Sequence, residues 1–340
     1  MRETVIGCAV AFMGTVMMTP TAMAIAWRVG AVDRPRDWRR MHRRVIPRAG
    51  GIALLLGFFL GWSVAWRSGV GAGEWRNAWI GIAVGGAGMA AVGLTDDVFS
   101  MSAWQKLGAQ TAVAISAVVI GGVGEDLIRG TAAVLWLLIA VNAHNMIDGM
   151  DGLMTGCAAC ECGALGAAFL LAGERGMGAI SLCLAAACMG LRCFNRYPAR
   201  IFAGDCGSEC VGFLVGMLAL LWLRQQGGGA AWISVLLMLA YPLTDLFAAV
   251  LRRVLRGKSP FTADRGHLHH RLFDAGVPHP TCTRLLLTVS GALCATGVLV
   301  SDSRFWGWGA AASGFCALIL MGIRYFVENF AEIVAKHRKM

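Results

Sequence analysis

The chain has 340 residues, of which 57% are hydrophobic and only 15% charged, against about 25% charged in an ordinary soluble domain. Mean hydropathy is +0.63. A soluble globule cannot hide that much apolar surface, a disordered chain carries more charge, and the 45 glycines follow no period of three, which excludes collagen. What remains is an all-α, polytopic integral membrane protein.

A span needs about 20 apolar residues. In chain order the apolar segments are 5–27, 50–66, 78–95, 105–123, 130–143, 152–172, 177–191, 209–224, 230–251, 283–301 and 306–327. The fifth and seventh are short, so the reading is ten or eleven transmembrane helices in one domain, 1–340. Ala22-Met23-Ala24 looks like a cleavage site, but the preceding apolar run is longer than the 7–15 residues of a signal core, so 5–27 is read as a span.

Lys and Arg set the orientation. Eight Arg crowd into 28–48, six basic residues into 252–282, three into 192–208 and four into the tail from Arg324. With the N-terminus outside, these fall on the cytoplasmic face, twenty-one basic residues against seven. The cytoplasmic loops are then 28–49, 95–104, 143–151, 192–208 and 252–282. The net charge of +10 sits in these loops, which suits anionic lipid and anionic substrate and gives no reason to expect nucleic acid. The twelve Cys lie mostly in apolar runs and read as packing residues. Cys157, Cys160 and Cys162 lack the second ligand pair and nearby His that a zinc site needs.

Charges near a bilayer are costly and usually functional. Four groups recur on the cytoplasmic side: Asp96-Asp97 with Lys106 and Gln110; Asn142, Asn145, Asp148 and Asp151 in NAHNMIDGMDGL; Asp205 and Ser208 in FAGDCGSECVGF; and Asp264, Arg265, His267, His269 and His270 in SPFTADRGHLHHRL. Each has a plain alternative. Asp96-Asp97 could be a solvated helix end, the Asp-Gly pairs turns, Ser208 a helix N-cap, the His run a basic loop and Arg36–Arg48 a positive anchor. All four sharing one face argues for chemistry instead. Adjacent carboxylates repel unless a cation joins them. Several Asp suit a hard divalent cation that shares its oxygen ligands with a phosphate, and Arg, Lys and His suit phosphate oxygens. The parts are those of metal-assisted phosphoryl transfer at a membrane face.

From about Asp33 to Leu272 the chain resembles the polyprenyl-phosphate N-acetylhexosamine-1-phosphate transferases, carrying in order DRPRDWRRMHRRVIPRAGG, GLTDDVFSMSAWQKLGAQ, NAHNMIDGMDGL, GDCGSECVGF and KSPFTADRGHLHHRL. The resemblance implies that a polyprenyl phosphate attacks the β-phosphate of a UDP-N-acetylhexosamine, giving a polyprenyl-diphospho-sugar and UMP, with Mg²⁺ (or Mn²⁺ in its place) at a cytoplasmic-facing site of a bacterial inner membrane. His-Leu-His-His followed by Arg271-Leu272 resembles the UDP-GlcNAc branch, with undecaprenyl phosphate as acceptor, rather than the UDP-N-acetylmuramoyl-pentapeptide branch. A homodimer is allowed and not required.

Carried over residue by residue, the resemblance implies Asp205 and Asp97 as metal ligands. Asp96 and Asp97 would position the ion or deprotonate the lipid phosphate. Asn142, Asn145, Asp148, Asp151 and Ser208 would shape the nucleotide–metal pocket. His267, His269, His270 and Arg265 would hold the diphosphate, and Lys106 would neutralise phosphate charge. Arg39, Arg40, His42 and Arg48 would contact the lipid phosphate or the sugar nucleotide. Cys206 and Glu209 are uncommon fillings of the third motif, and Glu209 would add a ligand or merely cap the helix. The rivals are the same transfer with another UDP-sugar, and a lipid transporter without chemistry. A transporter would place charges near the midplane and show repeated halves, and no repeat is visible.

Overall fold

The computed structural model describes residues 1–35, 44–66, 75–262 and 264–302. In chain order the elements are α1 (Arg2–Val29), β1 (Val32–Asp33), β2 (Ile46–Pro47), α2 (Gly50–Ala65), α3 (Arg76–Phe99), α4 (Ala103–Gly121), α5 (Leu127–Ile147), α6 (Leu153–Leu171), α7 (Arg175–Asn195), α8 (Gly204–Gln226), α9 (Gly228–Met238), α10 (Ala240–Leu255), α11 (Leu268–Asp274) and α12 (His279–Ser301). Among the described residues the fold is all-α apart from the two-residue antiparallel pair β1–β2. Helices α1, α3, α5, α6, α7, α8 and α12 are long and apolar enough to cross a membrane, and α9 with α10 makes an eighth if the bent pair is one span. The predicted segments 50–66 and 105–123 are helical as α2 and α4. The first has only 16 residues, and the second opens on Gln105 and Lys106. The segment 306–327 lies outside the described residues.

Helix α8 is the axis of the bundle. Its buried face runs almost unbroken from Gly204 to Trp222, and α2, α3 and α5 pack on it. Lipid supplies little hydrophobic force between helices, so close approach through small residues must do the packing. Gly93 of α3 shows the need: a Cβ there would overlap the Asp205 backbone. Gly51 of α2 is likewise pressed against Gly207, where any side chain would collide with backbone. The acidic end of α8 therefore lies against α2 and α3.

The predicted straight helix over 230–251 is instead two helices meeting at 77° around Leu239. Pro242 explains the break. It has no N–H to give to Met238, and it fits the first turn of a new helix, where no such bond is required. The freed Met238 carbonyl accepts a hydrogen bond from the Cys294 thiol at 3.3 Å. Helices also run further than the predicted loop boundaries. Asp96 and Asp97 lie in the last turns of α3, and Asn145 lies in the last turn of α5. Ser102 opens α4 with a reciprocal capping box to Gln105, a device worth about 1 kcal/mol. It directs Lys106 back toward α3. The described cysteines are free thiols, and nearly all are at least partly buried.

Candidate active site

Asp96 and Asp97 are neighbours in sequence but do different work. Asp96 Oδ1 accepts the Met101 N–H at 2.6 Å, which holds the α3–α4 turn, where Ser100 takes a left-handed φ of 54°. Its Oδ2 faces Lys106 Nζ at 2.8 Å. Asp97 is buried and caps α8 from outside: its two oxygens accept the Asp205 and Cys206 N–H groups at 3.2 and 3.1 Å. A carboxylate at a helix N-terminus meets the positive end of the helix dipole. Arg48, between β2 and α2, reaches both Asp97 and Asp205 at 3.1 and 3.0 Å. Burial opposes its charge, but the carboxylates of Asp97 and Asp205 outweigh this and raise its pKa further.

Lys106 closes the group. Besides Asp96 it meets Asp205 Oδ2 at 2.5 Å and Glu209 Oε1 at 2.7 Å. Asp205 and Glu209 are four residues apart, on one face of α8. The carboxylate oxygens of Asp96, Asp205 and Glu209 lie within 4.8 Å of one another, the one such acidic group among the described residues. Behind it, Asn145 donates to the Ser208 hydroxyl at 3.0 Å, and Asn142 donates to the Gln110 side-chain oxygen at 3.1 Å.

The NMIDGMDG turn joins this group to the histidines. Asp148, the C-cap of α5, has its pKa raised well above the usual carboxylate range, first by burial and then by the negative charge of Asp205. Gly149 passes so close to His269 that a Cβ would stand 2.7 Å from Nε2. Asp151 turns the other way. It accepts the Ala199 N–H at 2.9 Å and lies 3.8 Å from His279.

The His run opens α11. His269 is fully buried and neither ring nitrogen has a hydrogen-bond partner. Burial, followed by the neighbouring His270, pushes its pKa down to about 3. His270 is pushed down to about 4 by burial and His267. Both are therefore neutral at pH 7, with nitrogens free for a ligand. Asp264 is held below its ordinary pKa: partial burial works against this, and Arg252 and the Gly266 N–H outweigh it. Arg265 is bound to Asp274 at 2.7 Å. Arg39, Arg40 and His42 lie outside the described residues.

Two buried acid–histidine pairs escaped the sequence reading. Asp245 of α10 holds His267 Nδ1 at 2.7 Å and the Leu268 N–H at 3.0 Å, so it aims the His run. His144 and Glu161 meet at 2.7 Å with no exposure and tie α5 to α6 beside Asn145. The available signal was an ionisable residue inside an apolar segment.

The family model of glycosyl transferase family 4 matches residues 79–223, from α3 through α8. The chain is 29% identical over 98% of its length, and over 92% of that protein, to the probable undecaprenyl-phosphate N-acetylglucosaminyl 1-phosphate transferase of Bacillus subtilis. It is 28% identical to the undecaprenyl-phosphate alpha-N-acetylglucosaminyl 1-phosphate transferase of Escherichia coli K12, over 86% of this chain and 83% of that one. It is 30% identical to the decaprenyl-phosphate N-acetylglucosaminephosphotransferase of Mycobacterium tuberculosis, over 78% of this chain and 74% of that one. With the acidic group, the DGMDG turn and the His run all in place, the chain belongs to glycosyl transferase family 4.

Proposed function

We propose that the protein transfers N-acetylglucosamine-1-phosphate from UDP-GlcNAc to undecaprenyl phosphate. An oxygen of the lipid phosphate attacks the β-phosphorus, the bond from that phosphorus to the bridging oxygen breaks, and the bridging oxygen leaves with UMP. The observation that carries the reading is the meeting of Arg48 and Lys106 with Asp96, Asp97, Asp205 and Glu209 at one end of α3 and α8. Cations near three phosphoryl groups neutralise the charge that gathers as the new bond forms. The attacking group is the lipid phosphate, whose second pKa is near 6, so it needs little help from a base. Positioning is then the main task of this chain.

The donor set fits a hard divalent cation, Mg²⁺ first, because it is all oxygen and compact. Asp205 and Asp96 would hold it. Both Asp97 oxygens accept α8 N–H groups, so Asp97 orients α8 and Arg48. The ion supplies charge neutralisation on the diphosphate. Asp148 and Asn145 place the nucleotide beside it. His269 and His270, neutral and unoccupied by internal hydrogen bonds at three of their four nitrogens, bind diphosphate oxygens. Asp264 and Asp245 orient His267 from two sides. The clustering of Lys and Arg supports a cytoplasmic-facing site in a bacterial inner membrane.

The test is label transfer. Purified protein in detergent with undecaprenyl phosphate, Mg²⁺ and UDP-[¹⁴C]GlcNAc yields lipid-extractable label and an equal amount of UMP. Label that stays in the aqueous phase with every UDP-N-acetylhexosamine ends the reading and leaves lipid binding without chemistry.

A further inference from the structure

Resting on that reading, the acidic group shows more than a place for an ion. The Lys106 ammonium sits among three carboxylates, one oxygen from each: Asp96 Oδ2 at 2.8 Å, Asp205 Oδ2 at 2.5 Å and Glu209 Oε1 at 2.7 Å. The other oxygens of the two aspartates are used elsewhere, by the Met101 N–H and by Arg48. Lys106 is one positive charge among three negative ones, and Arg48, which also serves Asp97, reaches only Asp205 of the three. Glu209 is completely buried, and its Oε2 has no hydrogen-bond partner. A buried carboxylate oxygen left without a partner is costly. Glu209 is also one of the two unusual residues in its motif.

We propose that Glu209 is a third oxygen ligand for the divalent cation, and that Lys106 is the ion's built-in place-holder. Ammonium and ion compete for the same three oxygens. A divalent ion matches the negative charge better than an ammonium and can also take Glu209 Oε2. Its arrival releases Lys106 from the carboxylates. The freed ammonium stays at the start of α4, beside the ion, where phosphate oxygens are its next partners. The site is thus partly neutralised before it is loaded, and gains a mobile cation when it is.

The two substitutions that test this have opposite signs. Mn²⁺ binding is measured by electron paramagnetic resonance on the full chain in detergent, without nucleotide or lipid. The variants are Glu209→Gln, Glu209→Asp and Lys106→Met, each checked for folding by metal-free thermal melting. Outer-shell changes already cost metal sites about 10–100-fold, so Glu209→Gln weakens Mn²⁺ at least about tenfold. Glu209→Asp restores most of the affinity. Lys106→Met tightens binding, about tenfold or more, because a like charge no longer contests the site. If Lys106→Met fails the folding check, Lys106→Gln carries the same expectation. Equal affinity in wild type and Glu209→Gln overturns the ligand role. Weaker binding on loss of the Lys106 charge overturns the competition, and a wild-type protein that binds no Mn²⁺ overturns both. Label transfer by the wild type separates the two levels. Transfer without the Mn²⁺ pattern removes this inference alone, and the Mn²⁺ pattern without transfer removes the transferase reading alone.

Discussion

Among single residues, Asp205 joins the two cations of the acidic group: Arg48, Lys106 and a backbone bond to Asp97 all converge on it. Asp205→Asn keeps the shape but removes the anion. Turnover in the label-transfer assay should fall by roughly 100-fold or more, the scale of losing one pre-aligned electrostatic group, with little change in melting temperature. The histidines give a pH prediction. His269 and His270 have folded pKa values of about 3 and about 4, below the ordinary value of about 6.5. Between pH 6.5 and 4 the unfolded chain takes up protons that the folded chain refuses, so stability rises with pH there. The contribution is complete above pH 6.5 and is lost as pH falls toward 4. Melting scans across that range should show the loss, and His270→Asn should flatten the slope. A bound diphosphate would favour imidazolium, so binding should take up protons near pH 6, seen as buffer-dependent heats in calorimetry.

At the scale of elements, the site depends on how closely α3 and α8 approach. Gly93 leaves no room for a Cβ against the Asp205 backbone. Gly93→Ala must push the N-terminus of α8 away, and overpacking of this kind costs about 1–3 kcal/mol. A shift of about 1 Å at a reacting centre can cost about 100-fold in rate. The expected result is a loss of transfer larger than the loss of stability; equal activity with a lowered melting point would remove the claim that this contact sets the site. The second element-scale feature is the bend at Leu239. It brings Asp245 to the base of α11, where it holds His267 and the Leu268 N–H. Neither feature is legible locally. A Gly in an apolar helix and an Asp after a Pro become informative only beside their partners.

At the scale of the whole molecule, the clustered Arg and Lys make a sidedness prediction. In right-side-out vesicles, a cysteine placed at Arg129 should react with an impermeant maleimide, and one placed at Lys258 should not. Among the described residues Arg129 pairs with Glu125 and Asp126 of the exposed α4–α5 turn, so Arg129→Ala should leave label transfer within about twofold, as surface changes usually do. Reversal of the labelling would put the acidic group and the basic loops on the outer face.

Composition and apolar run length determined an all-α membrane protein and most of its apolar helices, while the candidate site residues stood out as charges beside apolar runs and took their expected roles from the family resemblance. These are local properties: a run of apolar side chains must leave water, and a charge in such a run needs a reason. Only the tertiary structure decided which carboxylate does what. Asp96 and Asp97 are adjacent in the chain, yet the helix turns them about 100° apart, one toward Lys106 and the other onto the N-terminus of α8. It also decided that Glu209 joins the acidic group, that α10 turns 77° from α9, that Asp245 holds His267, and that His144 pairs with Glu161. Each of these depends on contact between residues far apart in sequence, and pairings of that kind leave no periodic trace in either segment.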